Sequence, residues 1–284
     1  MKKMRQITVV APGHETMTSN VAFADAMALL EAAGRTCYKS EPGKTPESRD
    51  KFVGGIIRRG HLSVIEHVSL TVRIICSRSC SHQLVRHRIA AYSQESQRYC
   101  DYGRGGLQVI CPQSIADLNL PLGVYESGCI GPKDTIGFQD EAHEPMQELS
   151  FALGIEQGRG DPSLRRAERW LTSVINSYEA YVYFRDQGVP PEDARSLLPN
   201  ATKTEVVTTF NLRQWRHVFE DRALNPKAQW EIRGIMLGIL KEFAERLPVI
   251  FGDMLLPAVK FDSVPHFEKI EAPEYRPSGS PPIA

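Results

Sequence analysis

Residues 67–76, HVSLTVRIIC, set Val68, Leu70, Val72 and Ile74 against Ser69, Thr71 and Arg73. A period of two places the four apolar side chains on one face of a β-strand and predicts that this face is buried. Such a strand needs a covering layer, and the rest of the chain offers helices. Residues 21–33, VAFADAMALLEAA, combine strong helix formers with apolar spacings of three and four and stop at Gly34. A second helix is expected over 47–59, closed by Gly60, and helical spacing resumes over 78–88, ending in Arg86-His87-Arg88.

Further helices are expected over 139–156 and 163–187. The second carries Trp170, Tyr178, Tyr181, Tyr183 and Phe184, for which core packing is favoured over a subunit interface. Gly188-Val189-Pro190-Pro191 breaks it, and Glu192–Leu198 reads as a short helix stopped by Pro199. Thr204–Phe210 is β-branched and reads as a strand; Asn211 is a cap for a helix over 212–224, and Pro226 suits the first turn of another over 227–247. The pattern predicts an α+β fold, a β-sheet packed with long helices. One catalytic domain is expected over 1–262, with a Gly- and Pro-rich, loop-rich insertion at about 103–135 that holds a short strand near 107–111. The Pro-rich tail, 263–284, reads as an extended arm with five prolines.

Composition narrows the function. Hydrophobic residues at 42% and charged residues at 24% belong to an ordinary globular protein. A formal net charge of zero gives the whole molecule no pull toward nucleic acid or an anionic membrane, so any anion site must be local. No apolar run approaches the roughly 18 residues of a membrane span. The apolar part of MKKMRQITVV is too short for a signal peptide, so a cytoplasmic location is expected. The six cysteines, Cys37, Cys76, Cys80, Cys100, Cys111 and Cys129, read as buried reduced thiols. Cys76 and Cys80 are three residues apart, which is not zinc-ribbon spacing even with His82 and His87 nearby, and no metal is expected. Gly103-Arg104-Gly105-Gly106 neither follows a clear strand nor opens a helix, so it reads as a turn rather than a dinucleotide loop.

The segment Arg86–Tyr99, RHRIAAYSQESQRY, concentrates the chemistry. Arg86 and Arg88 cannot shed their charge, and clustering them with His87 is costly unless an anion compensates. Their planar forks suit phosphate or a delocalised anionic ring, although a solvated basic helix end is the commoner use of such a tripeptide. The segment is accompanied by three others: Gly60-His61-x-Ser63-x-x-Glu66-His67; Ala194-Arg195-x-Leu197-Leu198-Pro199; and Asn211-x-Arg213 with Arg222 and Gln229-Trp230-Glu231-Ile232. Together, in this order and over roughly residues 20–250, the four blocks resemble the flavin-dependent thymidylate synthases.

That resemblance implies a non-Rossmann flavin-binding fold and reductive methylation of dUMP to dTMP. The cofactor implied is FAD, NADPH is the reductant, and 5,10-methylenetetrahydrofolate is the carbon donor. It implies a homotetramer with shared active sites, with dUMP and folate as the ligands and neither nucleic acid nor membrane as partner. The implied flavin contacts are Cys37, Ser63, Glu66, Arg86, His87, Arg88, Asn211 and Arg213. Cys37 stands where many members have Ser, so simple packing is an equal reading there. The implied nucleotide contacts are Gln83, Gln94, Ser96, Gln97, Arg98, Arg195 and Arg222, with Arg98 and Arg195 on the phosphate and Arg222 against the uracil as a catalytic group. His61 and Tyr99 fall on the folate side.

Ala91, Ser93 and Gln94 depart from the common family residues, and Gln94 removes a charge that adjacent Glu95 is not expected to replace. No cysteine lies in the nucleotide blocks. Ser96 has no confident base beside it, so a binding role is favoured over a nucleophilic one. A protein that binds nucleotide or flavin but has lost catalysis, or one that transfers a hydroxymethyl group, remains an alternative. An RNA-binding strip at 86–99 ranks below both, given zero net charge and the neighbouring Glu95 and Asp101.

Overall fold

A computed structural model of the chain describes residues 6–43, 45–116, 123–126 and 162–255. In chain order these form strands β1 (Gln6–Val10) and β2 (Gly13–Thr16), helices α1 (Asn20–Tyr38) and α2 (Pro46–Arg58), and a 3-10 turn, Leu62–His67. Next come β3 (Ser69–Ser77), α3 (Arg78–Leu84), β4 (Ala91–Gln94), α4 (Tyr102–Gly105), β5 (Leu107–Ile110), α5 (Gln113–Ala116) and β6 (Gly123–Glu126). The last part holds α6 (Pro162–Asp186), α7 (Pro191–Ala194) running into a 3-10 turn Arg195–Leu197, and β7 (Lys203–Asn211). It closes with α8 (Leu212–Phe219), a π-helical turn Glu220–Leu224, α9 (Trp230–Arg246), α10 (Pro248–Phe251) and a 3-10 turn Gly252–Leu255. The mixture is α+β, as the sequence pattern predicts.

The chain passes between two compact units. One comprises Met1–Pro12, Ile75–Arg88 and Tyr92–Val206; the other comprises Gly13–Ile74, Ile89–Ala91 and Val207–Ala284. Neither is a continuous stretch of sequence.

In the first unit β1 is the middle strand of a three-stranded sheet, parallel to β5 and antiparallel to β6. Ile7 and Val9 on β1 share a core with Leu107 and Val109 on β5, and α6 covers them with Leu171, Val174, Ile175, Tyr178 and Val182. Burying one Leu or Ile in such a layer contributes about 1.5–3 kcal/mol, which is what holds this sheet to its helix.

A second sheet has the strand order β2-β3-β7-β4. The alternation read in β3 is real: Leu70, Val72 and Ile74 are fully buried. In the second unit Trp215 on α8 is the hub, with Phe210, Phe243 and Phe219 rings centred 4.7, 5.2 and 5.4 Å away. Its indole Nε1 donates to the Leu70 carbonyl at 3.1 Å, so the buried polar edge is satisfied.

Helix ends follow local chemistry. Ser19 Oγ accepts from Ala22 N–H at the start of α1, and Thr45 does the same for α2, with Pro46 at its first position. Asn211 Oδ1 accepts from Gln214 N–H at 2.8 Å and opens α8, as expected.

Several expectations are corrected. The helix expected over 78–88 stops at Leu84, where a turn at Val85 and Arg86 takes over. The helix expected over 212–224 changes to a π-turn after Phe219. Pro226 starts no helix; α9 begins at Trp230, with Gln229 Oε1 capping Ile232 N–H at 3.3 Å. Gly103-Arg104-Gly105 forms one helical turn opened by Asp101, and only Gly106, at φ 83°, has the left-handed freedom of a turn glycine. The insertion expected at 103–135 contributes α4, β5, α5 and β6 where it is described. Strands β1, β2 and β4 carry no expectation from sequence. Cys76, Cys80 and Cys111 are buried free thiols, but Cys37 is exposed and Cys100 half-buried. Tyr178 and Tyr181 are core, while Tyr183 and Phe184 of the same helix are exposed. The helix expected over 139–156, Cys129 and the tail 263–284 lie outside the described residues.

Candidate active site

Within the Arg86–Tyr99 segment, Arg86–Arg88 and Tyr92–Tyr99 belong to the first unit, where local bonds shape them, and Ile89–Ala91 belong to the second. The Tyr92 hydroxyl lies 2.8 and 2.7 Å from the carbonyl oxygens of Leu84 and His87, pinning the turn that presents Arg86 and Arg88. Both arginines are exposed and His87 is buried. Gln83, on α3, is half-buried. Gln94 Nε2 donates to Ser81 Oγ at 2.9 Å and Thr204 Oγ1 at 3.3 Å, so its amide ties β4 to neighbouring elements of its own unit.

Ser96 opens a tight turn. Its hydroxyl accepts from Arg98 N–H at 3.3 Å, and its carbonyl accepts from Tyr99 N–H and Cys100 N–H at 3.2 and 2.9 Å. Gln97 is half-buried, whereas Tyr99 is 81% exposed and so available to a planar ligand.

Two arginines 97 residues apart in sequence meet here. Arg98 Nε lies 3.0 Å from a carboxylate oxygen of Glu192, and Arg195 Nε donates to the main-chain carbonyl of the same Glu192 at 3.0 Å. Helix α7 and its 3-10 extension therefore bring the second cation to the first. Arg98 and Glu192 are each about half exposed, 53% and 49%, so their pairing is weak enough for a stronger anion to replace it. A phosphate oxygen matches the carboxylate oxygen that Arg98 now holds.

Carboxylates anchor both ends of this loop. Glu95 accepts from the Tyr102 hydroxyl at 2.9 Å and pairs with Lys203 at 3.4 Å, so it is committed to structure. Burial, with the Glu95 charge beside it, pushes the Tyr102 phenol far up, and it donates at any working pH. Asp101 accepts from Arg185, Gly103 N–H and the Tyr181 hydroxyl, and the Arg185 hydrogen bond holds its carboxyl below the usual aspartate range.

In the second unit a cavity of about 740 Å³ is lined by Glu66, Asn211 and Arg213 together with Arg58, Leu62 and Ile89, among others. Glu66 and Arg213, 147 residues apart, form a 2.6 Å ion pair. The cap made by Asn211 uses only its side-chain carbonyl and neither amide hydrogen. Arg216 is fixed by Asp253 through two 2.7 Å contacts and also donates to the Ile250 carbonyl. The volume lies in the range of small-molecule sites. Apolar Ile57, Leu62 and Ile89 suit an aromatic ring system, and Arg58 and Arg213 suit a pyrophosphate, so the wall fits a flavin nucleotide. Ser63 and Cys37 are exposed and outside this wall; the Cys37 thiol points its bond at the Ala33 carbonyl, 3.6 Å away.

Also in the second unit, His61 Nδ1 lies 2.7 Å from the Tyr38 hydroxyl. Arg222 is half-buried on the π-turn, a helix distortion that often marks functional positions. The contacts of Arg98 with Glu192, Arg185 with Asp101 and Tyr38 with His61 carry no sequence signal, because each joins residues that no local pattern relates.

An α+β chain with two arginines from separate segments drawn to one glutamate, and with a cavity of small-molecule size, has groups suited to a nucleotide. A family model described as thymidylate synthase complementing protein matches residues 21–249. The flavin-dependent thymidylate synthase of Mycobacteroides abscessus is 34% identical over 229 residues, covering 80% of this chain and 78% of the relative. The enzymes of that name from Mycobacterium sp. (strain JLS) and Geobacter sulfurreducens are 35% and 33% identical over 231 and 238 residues, covering 80% and 81% of this chain and 79% and 82% of the relatives. The chain belongs to the flavin-dependent thymidylate synthase family, a family of methyltransferases of thymidylate synthesis.

Proposed function

We propose that the protein methylates dUMP to dTMP, taking the carbon from 5,10-methylenetetrahydrofolate and the electrons from NADPH through FAD. The observation that carries this reading is the convergence of Arg98 and Arg195 upon Glu192, a cationic pair where the resemblance expects the phosphate. When bound, the flavin supplies the hydride that completes the new methyl group, so the folate leaves as tetrahydrofolate.

The chain's own residues bind, orient and polarise. Arg98 and Arg195 take the phosphate, and main-chain and side-chain groups of Gln83, Gln94, Ser96 and Gln97 surround the nucleotide. Arg222 stabilises negative charge developing on the uracil, an effect for which one donor contributes about 3–4 kcal/mol. Glu66, Asn211 and Arg213 hold the flavin, the shared site of the tetramer adds Ser63, Cys37 and the Arg86–Arg88 run, which lie outside that wall, and His61 and Tyr99 flank the folate. Ser96 binds rather than attacks: its oxygen already accepts from Arg98 N–H, and no base is bonded to it among the described hydrogen bonds.

The catalytic domain is taken as 1–262, and the active form as a cytoplasmic homotetramer in which the scattered arginines complete shared sites. No metal and no nucleic-acid partner enters the reaction. No helix among the described residues is long and apolar enough to cross a membrane. The test is direct: incubate protein with FAD, NADPH, methylenetetrahydrofolate and dUMP, then weigh the nucleotide product. A methyl increment supports the reading, a hydroxymethyl increment transfers it to the other one-carbon product, and unchanged dUMP refutes both.

A further inference from the structure

The two phosphate-directed arginines sit on separate pieces of chain, and one residue touches both pieces. Arg185, near the end of α6, places Nη2 2.9 Å and Nε 3.3 Å from the two carboxylate oxygens of Asp101. Its third arm, Nη1, donates to the Val189 carbonyl. Asp101 lies three residues beyond Arg98, just after the turn that Ser96 opens and Cys100 N–H closes. Val189 lies just before Pro190-Pro191, and the Pro190 carbonyl accepts the N–H groups of Asp193 and Ala194 at 3.1 and 3.0 Å. Two consecutive proline rings fix φ, so fewer free torsions separate Val189 from the helical turn that carries Arg195. Both partners are shielded, with Arg185 and Asp101 side chains 19% and 20% exposed, unlike the open Arg98–Glu192 pair.

We propose that Arg185 is a positioning residue for the nucleotide phosphate, bracing the Arg98 turn and the Arg195 helix in one fixed relation through Asp101 and the Val189 carbonyl. The inference rests on the reading of Arg98 and Arg195 as phosphate ligands. A planar guanidinium sets two N–H groups on the carboxylate oxygens and a third on the Val189 carbonyl in one fixed fork; an ammonium, a point charge on a flexible stem, lacks that fork and holds the two segments in no fixed relation. The two phosphate ligands then fluctuate independently, and the entropy of fixing them falls on substrate binding.

The test compares dUMP with deoxyuridine, which lacks the phosphate, by calorimetry on the flavin-loaded full-length protein. In Arg185→Lys the dUMP Kd rises about tenfold while that of deoxyuridine changes less than about twofold, so phosphate discrimination drops about tenfold. KM for dUMP rises with it while kcat at saturation holds. Asp101→Asn, which retains an oxygen for the Gly103 N–H, shows a smaller drop in the same ratio. Both variants melt below the wild type, because a shielded ion pair is weakened or lost, while flavin affinity stays at the wild-type value. Retained discrimination in Arg185→Lys overturns the proposal, and so does an equal loss for both ligands, which marks a general collapse of the fold. A wild-type protein that binds dUMP no better than deoxyuridine overturns the underlying reading of the two arginines instead.

Discussion

The roles proposed for Arg222, polarising the uracil, and for Ser96, binding without attack, make opposite predictions. Replacing Arg222 by Gln removes a charged donor from the uracil and lowers kcat by about 10²–10³, with a smaller change in dUMP affinity, read by steady-state dTMP formation. Replacing Ser96 by Ala costs the Arg98 N–H one acceptor but leaves dTMP formation measurable; complete loss with intact dUMP binding makes Ser96 the nucleophile. Thiol chemistry separates the cysteines just as sharply. Cys37 is exposed, whereas burial pushes the Cys111 thiol up to about 12 and Cys76 and Cys80 are enclosed. Iodoacetamide at pH 8 therefore labels Cys37 within minutes while those three resist until denaturant is added, as peptide mass mapping checks. At this scale sequence was a good guide to identity and a poor one to contact. Arg98 and Arg195 stand out as motif residues, but nothing in either motif names Glu192 as the residue they share.

At the scale of elements, Glu242 on α9 ties that helix to β2. Its carboxylate accepts from Thr16 Oγ1 at 2.9 Å, lies 3.3 Å from His14 Nε2 and 3.4 Å from Arg246 Nε. Hydrogen bonding from His14 and Thr16 holds its carboxyl below the ordinary 4.5. A carboxyl whose folded pKa is depressed stabilises the fold above its unfolded value and loses that contribution as pH falls through the folded one. Glu242→Gln therefore loses stability at neutral pH and flattens the decline of the wild type below pH 4.5, as denaturant melts across pH read directly. Element boundaries show what local pattern can reach. The alternation in β3 and the Asn211 cap of α8 are written in adjacent residues, and both are found. The start of α9 is not, because Pro226 and Gln229 are both competent openers and packing of the helix selects Gln229. Strand β1 is missed because QITVV is too short to show a period, and its place depends on pairing with β5 and β6, a hundred residues away.

For the whole molecule, the expected assembly gives a mass by light scattering four times that of the 31.8 kDa chain. A monomer that makes dTMP at full rate removes the need for shared sites. The sequence by itself determined the family, the α+β class and the identity of the charged residues, because four ordered blocks and the period of each long element lie in near neighbours along the chain. Tertiary structure alone decided which guanidinium faces which acceptor: Arg98 on Glu192, Arg213 on Glu66 and Arg185 on Asp101. The reason is geometric. A hydrogen bond forms within about 3 Å and depends on the angle of approach, and sequence separations of 84 to 147 residues carry no trace of either until the core has folded.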